Sequence, residues 1–219
     1  MNKKARILIV DDYPLVREGL MQLIQRQDDL CCCGTADGLD SALKAVASQK
    51  PDLITVDIRL PKGDGLTLIK DLKAHGHAVP VLVISQFEEM LYAQRALKAG
   101  AQGYLMKDRA TEDVLTAIRT ILSGGFYVSP QIAVLAFDKR NDHSPDKTLH
   151  ALSDRELQVL QLLGAGQGTR NIADRLGLSV KTIEAHREHI KDKLGLTCAA
   201  DLMRVATDYV KGQAHQHMP

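Results

Sequence analysis

Five side chains in the first half of the chain could do chemistry together. Asp11 and Asp12 follow one apolar run, Asp57 follows a second, Ser85 ends a third and Lys107 follows a fourth. Crowded carboxylates repel one another, so a hard divalent cation is their natural counter-ion. Mg²⁺ takes oxygen ligands and keeps several waters. A carboxylate is also a nucleophile toward phosphorus, and an ammonium group with a metal ion beside it stabilises charge on a transferring phosphoryl group. The set predicts an acyl-phosphate on one aspartate, with Mg²⁺ present. A lone aspartate after a strand is an ordinary turn former. Five matched groups at the ends of four strands are poorly explained that way.

The elements that must hold these groups are legible as short apolar runs alternating with helix-period segments. Strands are predicted over 6–11, 30–35, 52–57, 81–85 and 102–106. Several are continuously apolar, such as Leu53-Ile54-Thr55-Val56 and Val81-Leu82-Val83-Ile84, as expected of parallel strands covered on both faces. Leu39, Ala42, Leu43 and Val46 recur at helical spacing, as do Val114, Leu115, Ile118, Ile121 and Leu122 behind a Thr111 N-cap. Five such repeats predict an α/β doubly wound five-stranded parallel sheet, whose ligands bind at the carboxyl ends of the strands. Gly124-Gly125 ends the fifth helix, and 129–137 can form a short helix. Residues 138–147 are polar and read as linker. The expected domains are 1–125, a linker 126–148, and an all-helical domain 149–219.

Composition bounds the rest. The 219 residues suit two domains. With 28 basic and 27 acidic residues the net charge is +1, which excludes a polycationic nucleic-acid coat. Residues 149–219 carry 9 basic and 8 acidic groups, so binding to nucleic acid there would not be driven by bulk charge. There is no Trp, and no apolar run approaches the ~20 residues of a membrane span. The N-terminal apolar run is too short for a signal peptide, so a cytoplasmic protein without membrane contact is expected. Cys31, Cys32, Cys33 and Cys198 form no disulfide pattern, and the three consecutive cysteines read as small apolar residues of a buried strand. Glycine-rich nucleotide loops and hydrolase signatures are absent. Arg59 stands two residues after Asp57, where an aspartate-based phosphotransferase carries a second acid. No enzyme acting on external substrates is therefore expected.

The C-terminal half looks helical. Ser153 and Glu156 fit a capping box. Predicted helices over 152–163 and 170–176 end at glycines, Ser179 can cap a third running to about Leu194, and a fourth spans 198–210. Two short helices joined by a glycine-containing turn make this four-helix stretch a helix-turn-helix candidate, with a plain three-helix bundle as the alternative. Ile183, Ile190 and Leu194 are spaced for burial, with Lys181, Glu184, Ala185, Glu188, Lys191 and Asp192 opposite. Such a helix can enter a major groove N-terminus first. Phosphate contacts are expected from Lys181, Thr182, Arg187 and Lys193. His186 and His189 lie three apart on it, but the sequence offers no evident third metal ligand.

Residues 5–125 resemble the receiver domain of two-component response regulators, on Asp11-Asp12, Asp57 followed by Pro61 and Asp64-Gly65, Ser85, and Gly103-Tyr104-Leu105-Met106-Lys107. The resemblance implies a sheet of flavodoxin-like order and that Asp57 is the phosphoacceptor. Asp11, Asp12, Asp57 and the backbone carbonyl of Arg59 would hold Mg²⁺. Lys107 would pair with the phosphoryl group, Ser85 would bond it, and Tyr104 would swing inward. Gln86, Asp108 and Leu60 depart from the pattern, and the long Gln86 could narrow access to Asp57.

Residues 152–206 resemble the LuxR-type helix-turn-helix of NarL/FixJ response regulators, on Leu152-Ser153-Asp154-Arg155-Glu156, Asn171-Ile172-Ala173 and Lys181-Thr182-Ile183-Glu184-Ala185-His186-Arg187. The resemblance places Glu184, Ala185 and Glu188 where bases are read, with His186 among the contacts, and the last helix in a dimer. Together the halves imply a transcription regulator phosphorylated on Asp57 by a sensor histidine kinase. It would bind paired DNA half-sites as a homodimer when phosphorylated. The alternative is a phosphorylation-independent DNA-binding regulator that uses its receiver only to dimerise.

Overall fold

The computed structural model describes residues 3–61, 63–87, 89–108, 111–137, 149 and 151–215. The chain divides into two compact units, Met1–Lys139 and Arg140–Pro219. The linker expected at 138–147 lies outside the described residues.

The first unit is built on the apolar runs. β1 (Ala5–Val10), β2 (Leu30–Ala36), β3 (Leu53–Val56), β6 (Val81–Ser85) and β7 (Gly103–Met106) form one parallel sheet in the order β2-β1-β3-β6-β7. Continuous burial of Ile7, Leu8, Ile9 and Val10 follows from cover on both faces. Helices α1 (Pro14–Gln25), α2 (Leu39–Gln49), α3 (Gly65–Ala74), α4 (Glu89–Ala99) and α5 (Thr111–Leu122) connect the strands. Ile118 and Ile121 of α5 and Ile24 of α1 pack with Ile7, Ile9, Leu82 and Leu105 in one core cluster. Thr111 is the first residue of α5, one position later than its expected place as cap.

The cysteines of β2 are half-buried, free thiols rather than fully buried core. β2 is an edge strand. Its pairing with β1 also slips between Ile7–Cys32 and Leu8–Gly34, leaving Cys33 as the extra residue of a bulge.

Register brings the chemistry together. Val10 pairs with Val56, so Asp11 and Asp57 leave adjacent strands side by side, and the Asp57 N–H donates to the Val10 carbonyl at 2.9 Å. Ser85 pairs with Met106, and the Lys107 N–H donates to the Ser85 carbonyl at 2.8 Å. After Asp57 the chain makes a small antiparallel pair, β4 (Arg59–Leu60) with β5 (Gly63–Asp64). Asp64 caps α3 by accepting from the Thr67 N–H at 2.7 Å. Gly65 is required there, because a Cβ would collide with the carbonyl oxygen of Asp57. Beyond α5, Tyr127 bridges to Gly103 at the sheet edge, and the short helix α6 (Pro130–Phe137) packs on α4.

The second unit holds α7 (Asp154–Gly164), α8 (Thr169–Leu176), α9 (Val180–Leu194) and α10 (Ala199–His215). The capping box forms at the start of α7: Ser153 Oγ accepts from the Glu156 N–H, and Glu156 returns the bond to the Ser153 N–H at 2.7 Å. Helix α8 ends at Gly177 with φ +64°, which a side chain tolerates poorly. Leu178 and Ser179 then complete the turn into α9, with Ser179 Oγ accepting from the Thr182 N–H at 3.0 Å. Ile183 and Ile190 of α9, Ile172 and Leu176 of α8, Leu157 and Leu160 of α7, and Leu202 and Ala206 of α10 are all buried.

Candidate functional site

At the carboxyl edge of the sheet, Lys107 Nζ donates to Asp11 Oδ2 at 2.6 Å and to Asp57 Oδ2 at 2.8 Å. These residues come from β-strand ends 96 and 50 positions away from Lys107. Asp11 and Asp57 are only 2% and 3% exposed. Burial pushes the Asp57 carboxyl up to about 6, against the pull of Lys107 and with the push of Asp11; the Arg59 N–H also bonds it. Burial disfavours the Lys107 ammonium as well, but Asp57 and Asp11 outweigh it and hold the group above its ordinary range.

Asp12 completes the acidic set. One oxygen each of Asp11, Asp12 and Asp57 lie within 4.8 Å of one another. Asp12 Oδ1 is buried and finds no hydrogen-bond partner among the described residues, while its Oδ2 faces Arg59 Nε at 3.7 Å. An all-oxygen set with an orphaned buried carboxylate oxygen fits a hard cation such as Mg²⁺. Chemically, the pocket offers one buried carboxylate poised beside a fixed ammonium, which suits nucleophilic attack on a group that carries negative charge.

Ser85 is fully buried, and its Oγ accepts from the Phe87 N–H at 3.2 Å. Tyr104, expected to swing inward, is already 1% exposed, and its hydroxyl donates to the Phe87 carbonyl at 2.6 Å. The Phe87 ring stacks on Tyr92 of α4 with centroids 4.8 Å apart. Gln86 is exposed. Phe87 and Tyr92 join Ser85 to α4, a link that the sequence carries no signal for because it depends on ring stacking across a turn.

In the second unit, Lys181, Glu184, Ala185 and Glu188 are exposed along α9, and Thr182 is partly so beside its cap. Arg187 donates to Thr169 Oγ1 at 2.7 Å, joining α9 to the start of α8. Arg155 reaches the Leu176 carbonyl at 2.7 Å and so joins α7 to the end of α8. Lys193, also exposed, donates to Glu156 at 2.6 Å, and His186 is half-buried. Burial by itself would raise the Glu156 carboxyl, but Lys193 and Ser153 hold it below the ordinary range. Burial pushes the His186 imidazole down.

Known proteins match both units. The response regulator receiver domain family matches residues 7–119, and the bacterial regulatory proteins of the luxR family match residues 150–206. The Transcriptional regulatory protein MctR of Rhizobium johnstonii is 32% identical over 206 residues, covering 94% of each chain. The Oxygen regulatory protein NreC of Staphylococcus aureus is 34% identical over 209 residues, covering 92% of this chain and 96% of its own. A solved two-component response regulator of the LuxR family from Aurantimonas sp. SI85-9A1 superposes with a TM-score of 0.58 at 30% identity, covering 63% of this chain and 99% of its own. The chain therefore belongs to the two-component response regulators of the NarL/FixJ group, which join a receiver to a LuxR-type DNA-binding domain. It is a DNA-binding transcription regulator under receiver control. No described helix is long and apolar enough to cross a membrane.

Proposed function

We propose that Asp57 is the phosphoacceptor and that a sensor histidine kinase supplies the phosphoryl group. The observation that carries this is the convergence of Asp11, Asp57 and Lys107 at 2.6 and 2.8 Å in a buried pocket. An Asp57 carboxylate oxygen attacks phosphorus, the bond to the donor breaks, and an acyl-phosphate remains. Lys107 then exchanges its bond to the carboxylate for one to the phosphoryl oxygens. Asp11, Asp12, Asp57 and the Arg59 carbonyl would hold Mg²⁺, which would supply charge neutralisation when bound. Ser85 turns its hydroxyl toward the phosphoryl group, and Tyr104, already inward, keeps its place. The receiver thus catalyses its own phosphorylation and dephosphorylation.

The output follows from Ser85 through Phe87 to α4, a bistable surface of the kind that a local charge change biases. The phosphorylated chain pairs into a homodimer on paired half-sites, in the cytoplasm. Helix α9 enters the major groove, Lys181, Thr182 and Arg187 meet phosphates, and Glu184, Ala185 and Glu188 face base edges. The boundaries 1–125, 126–148 and 149–219 mark receiver, linker and DNA-binding domain.

Acetyl phosphate with Mg²⁺ tests the reading. The expected result is one phosphoryl group by intact mass, absent from Asp57→Asn, together with dimerisation and tighter binding to operator fragments selected from the source genome. Tight DNA binding that is indifferent to acetyl phosphate would instead support a receiver used only for dimerisation.

A further inference from the structure

We propose that Glu156, His186 and His189 form a binding site for a borderline divalent metal ion of the Zn²⁺ class, joining α7 to α9. This site is separate from the acidic pocket of the receiver and rests on no assumption about DNA. His186 and His189 stand one helical turn apart on α9, so both imidazoles share a face. The third donor comes from 30 positions earlier in the chain, which is why the sequence hides it. One ligand atom from each of the three lies within 4.8 Å of the others.

Two further observations point to a ligand. His186 Nδ1 is buried and finds no hydrogen-bond partner among the described residues, a costly state for a ring nitrogen. The two oxygens of Glu156 are also divided in their duties. Oε2 takes both the Ser153 N–H at 2.7 Å and Lys193 Nζ at 2.6 Å, while Oε1 is the atom that faces His189 Nδ1, at 3.9 Å. A metal on Oε1 and the two imidazoles therefore leaves the capping box and the Lys193 pair in place. Two nitrogens and one oxygen, with water in the fourth position, suit Zn²⁺ and disfavour Mg²⁺. Lys193 and Arg155 lie near enough to oppose an added dication, so the site is one of moderate affinity. Zn–N and Zn–O bonds of about 2.0–2.2 Å require the donors to draw together on binding.

The test titrates ZnCl₂ into the full chain, reduced and saturated with Mg²⁺ so that the receiver pocket is filled. Bound metal is counted by equilibrium dialysis, and imidazole ¹⁵N resonances are followed. The half-buried cysteines 31–33 and the C-terminal histidines are rival ligands, so stoichiometry is compared between wild type and His189→Ala. The His189 side chain is 63% exposed, and its removal leaves the helices intact by circular dichroism. The expected result is the loss of one bound equivalent in His189→Ala, with the His186 and His189 resonances shifting together in wild type. Lys193→Ala, which removes an opposing charge, binds Zn²⁺ more tightly. Equal stoichiometry in wild type and His189→Ala, uptake with unmoved His186 and His189 resonances, or no uptake by wild type at micromolar Zn²⁺ overturns the proposal.

Discussion

Asp57 is held in tension between burial and Lys107. Its carboxyl titrates at about 6 in the fold, above the ordinary 3.8. A raised carboxyl costs stability as pH climbs from the unfolded value toward the folded one, and the cost is full above the folded value, because the unfolded chain releases its proton earlier. In metal-free buffer, Asp57→Asn is expected to be more stable than wild type by ~1–3 kcal/mol at pH 8. That gain shrinks as pH falls through about 6 and vanishes near 4, which urea midpoints at pH 8, 6 and 4 measure. A variant no more stable at pH 8 than at pH 4 would show that Lys107 fully compensates the burial. On the proposed chemistry, Arg59, 3.7 Å from Asp12, and Phe87 would crowd the approach of a hydrolytic water. Arg59→Asn and Phe87→Glu should therefore shorten the half-life of the acyl-phosphate, followed by phosphate release after donor removal; unchanged half-lives would refute this crowding.

Among the elements, the turn from β3 into α3 and the turn from α8 into α9 position the candidate residues of the two units. Gly65 lets α3 start against the Asp57 backbone. Gly65→Ala should lower stability by ~1–3 kcal/mol and slow phosphoryl uptake, because relief of the clash displaces Asp57; normal labelling would show that the strand end absorbs the shift. Ser179 caps α9 through the Thr182 N–H. Ser179→Ala should cost ~0.5–2 kcal/mol and loosen the first turn of α9, seen as faster amide exchange there with α8 unchanged.

On the scale of the whole molecule, the balanced charge takes on a structural meaning. Lys191 is paired with Glu188 at 2.8 Å and Lys193 with Glu156 at 2.6 Å, and Arg187 is bonded to Thr169, whereas Lys181 stands exposed at the start of α9. Among the cations of α9, Lys181 is therefore the one that none of these contacts engages. Lys181→Ala should weaken binding to all sequences and reduce the salt slope by about 1 per copy. Lys193→Ala should leave the slope unchanged and lower thermal stability instead. Equal slopes for Lys181→Ala and wild type would remove Lys181 from the interface.

The sequence by itself determined the two-part architecture and the position of the acidic pocket. In a parallel alternation of strands and helices every strand ends at the same edge, so Asp11, Asp57, Ser85 and Lys107 could be assigned to one edge before any contact was known. The capping box at Ser153 and Glu156 was legible for the same reason: it is local. What only the tertiary structure decided is non-local. That Lys107 spans Asp11 and Asp57 depends on strand register. That Cys33 is a bulge depends on β2 pairing at a sheet edge. That Glu156 meets Lys193 and the α9 histidines depends on helix packing. Spacing along a chain encodes the face a side chain takes on its own element, while the partner across the gap is chosen by how elements pack, which no single stretch of residues contains.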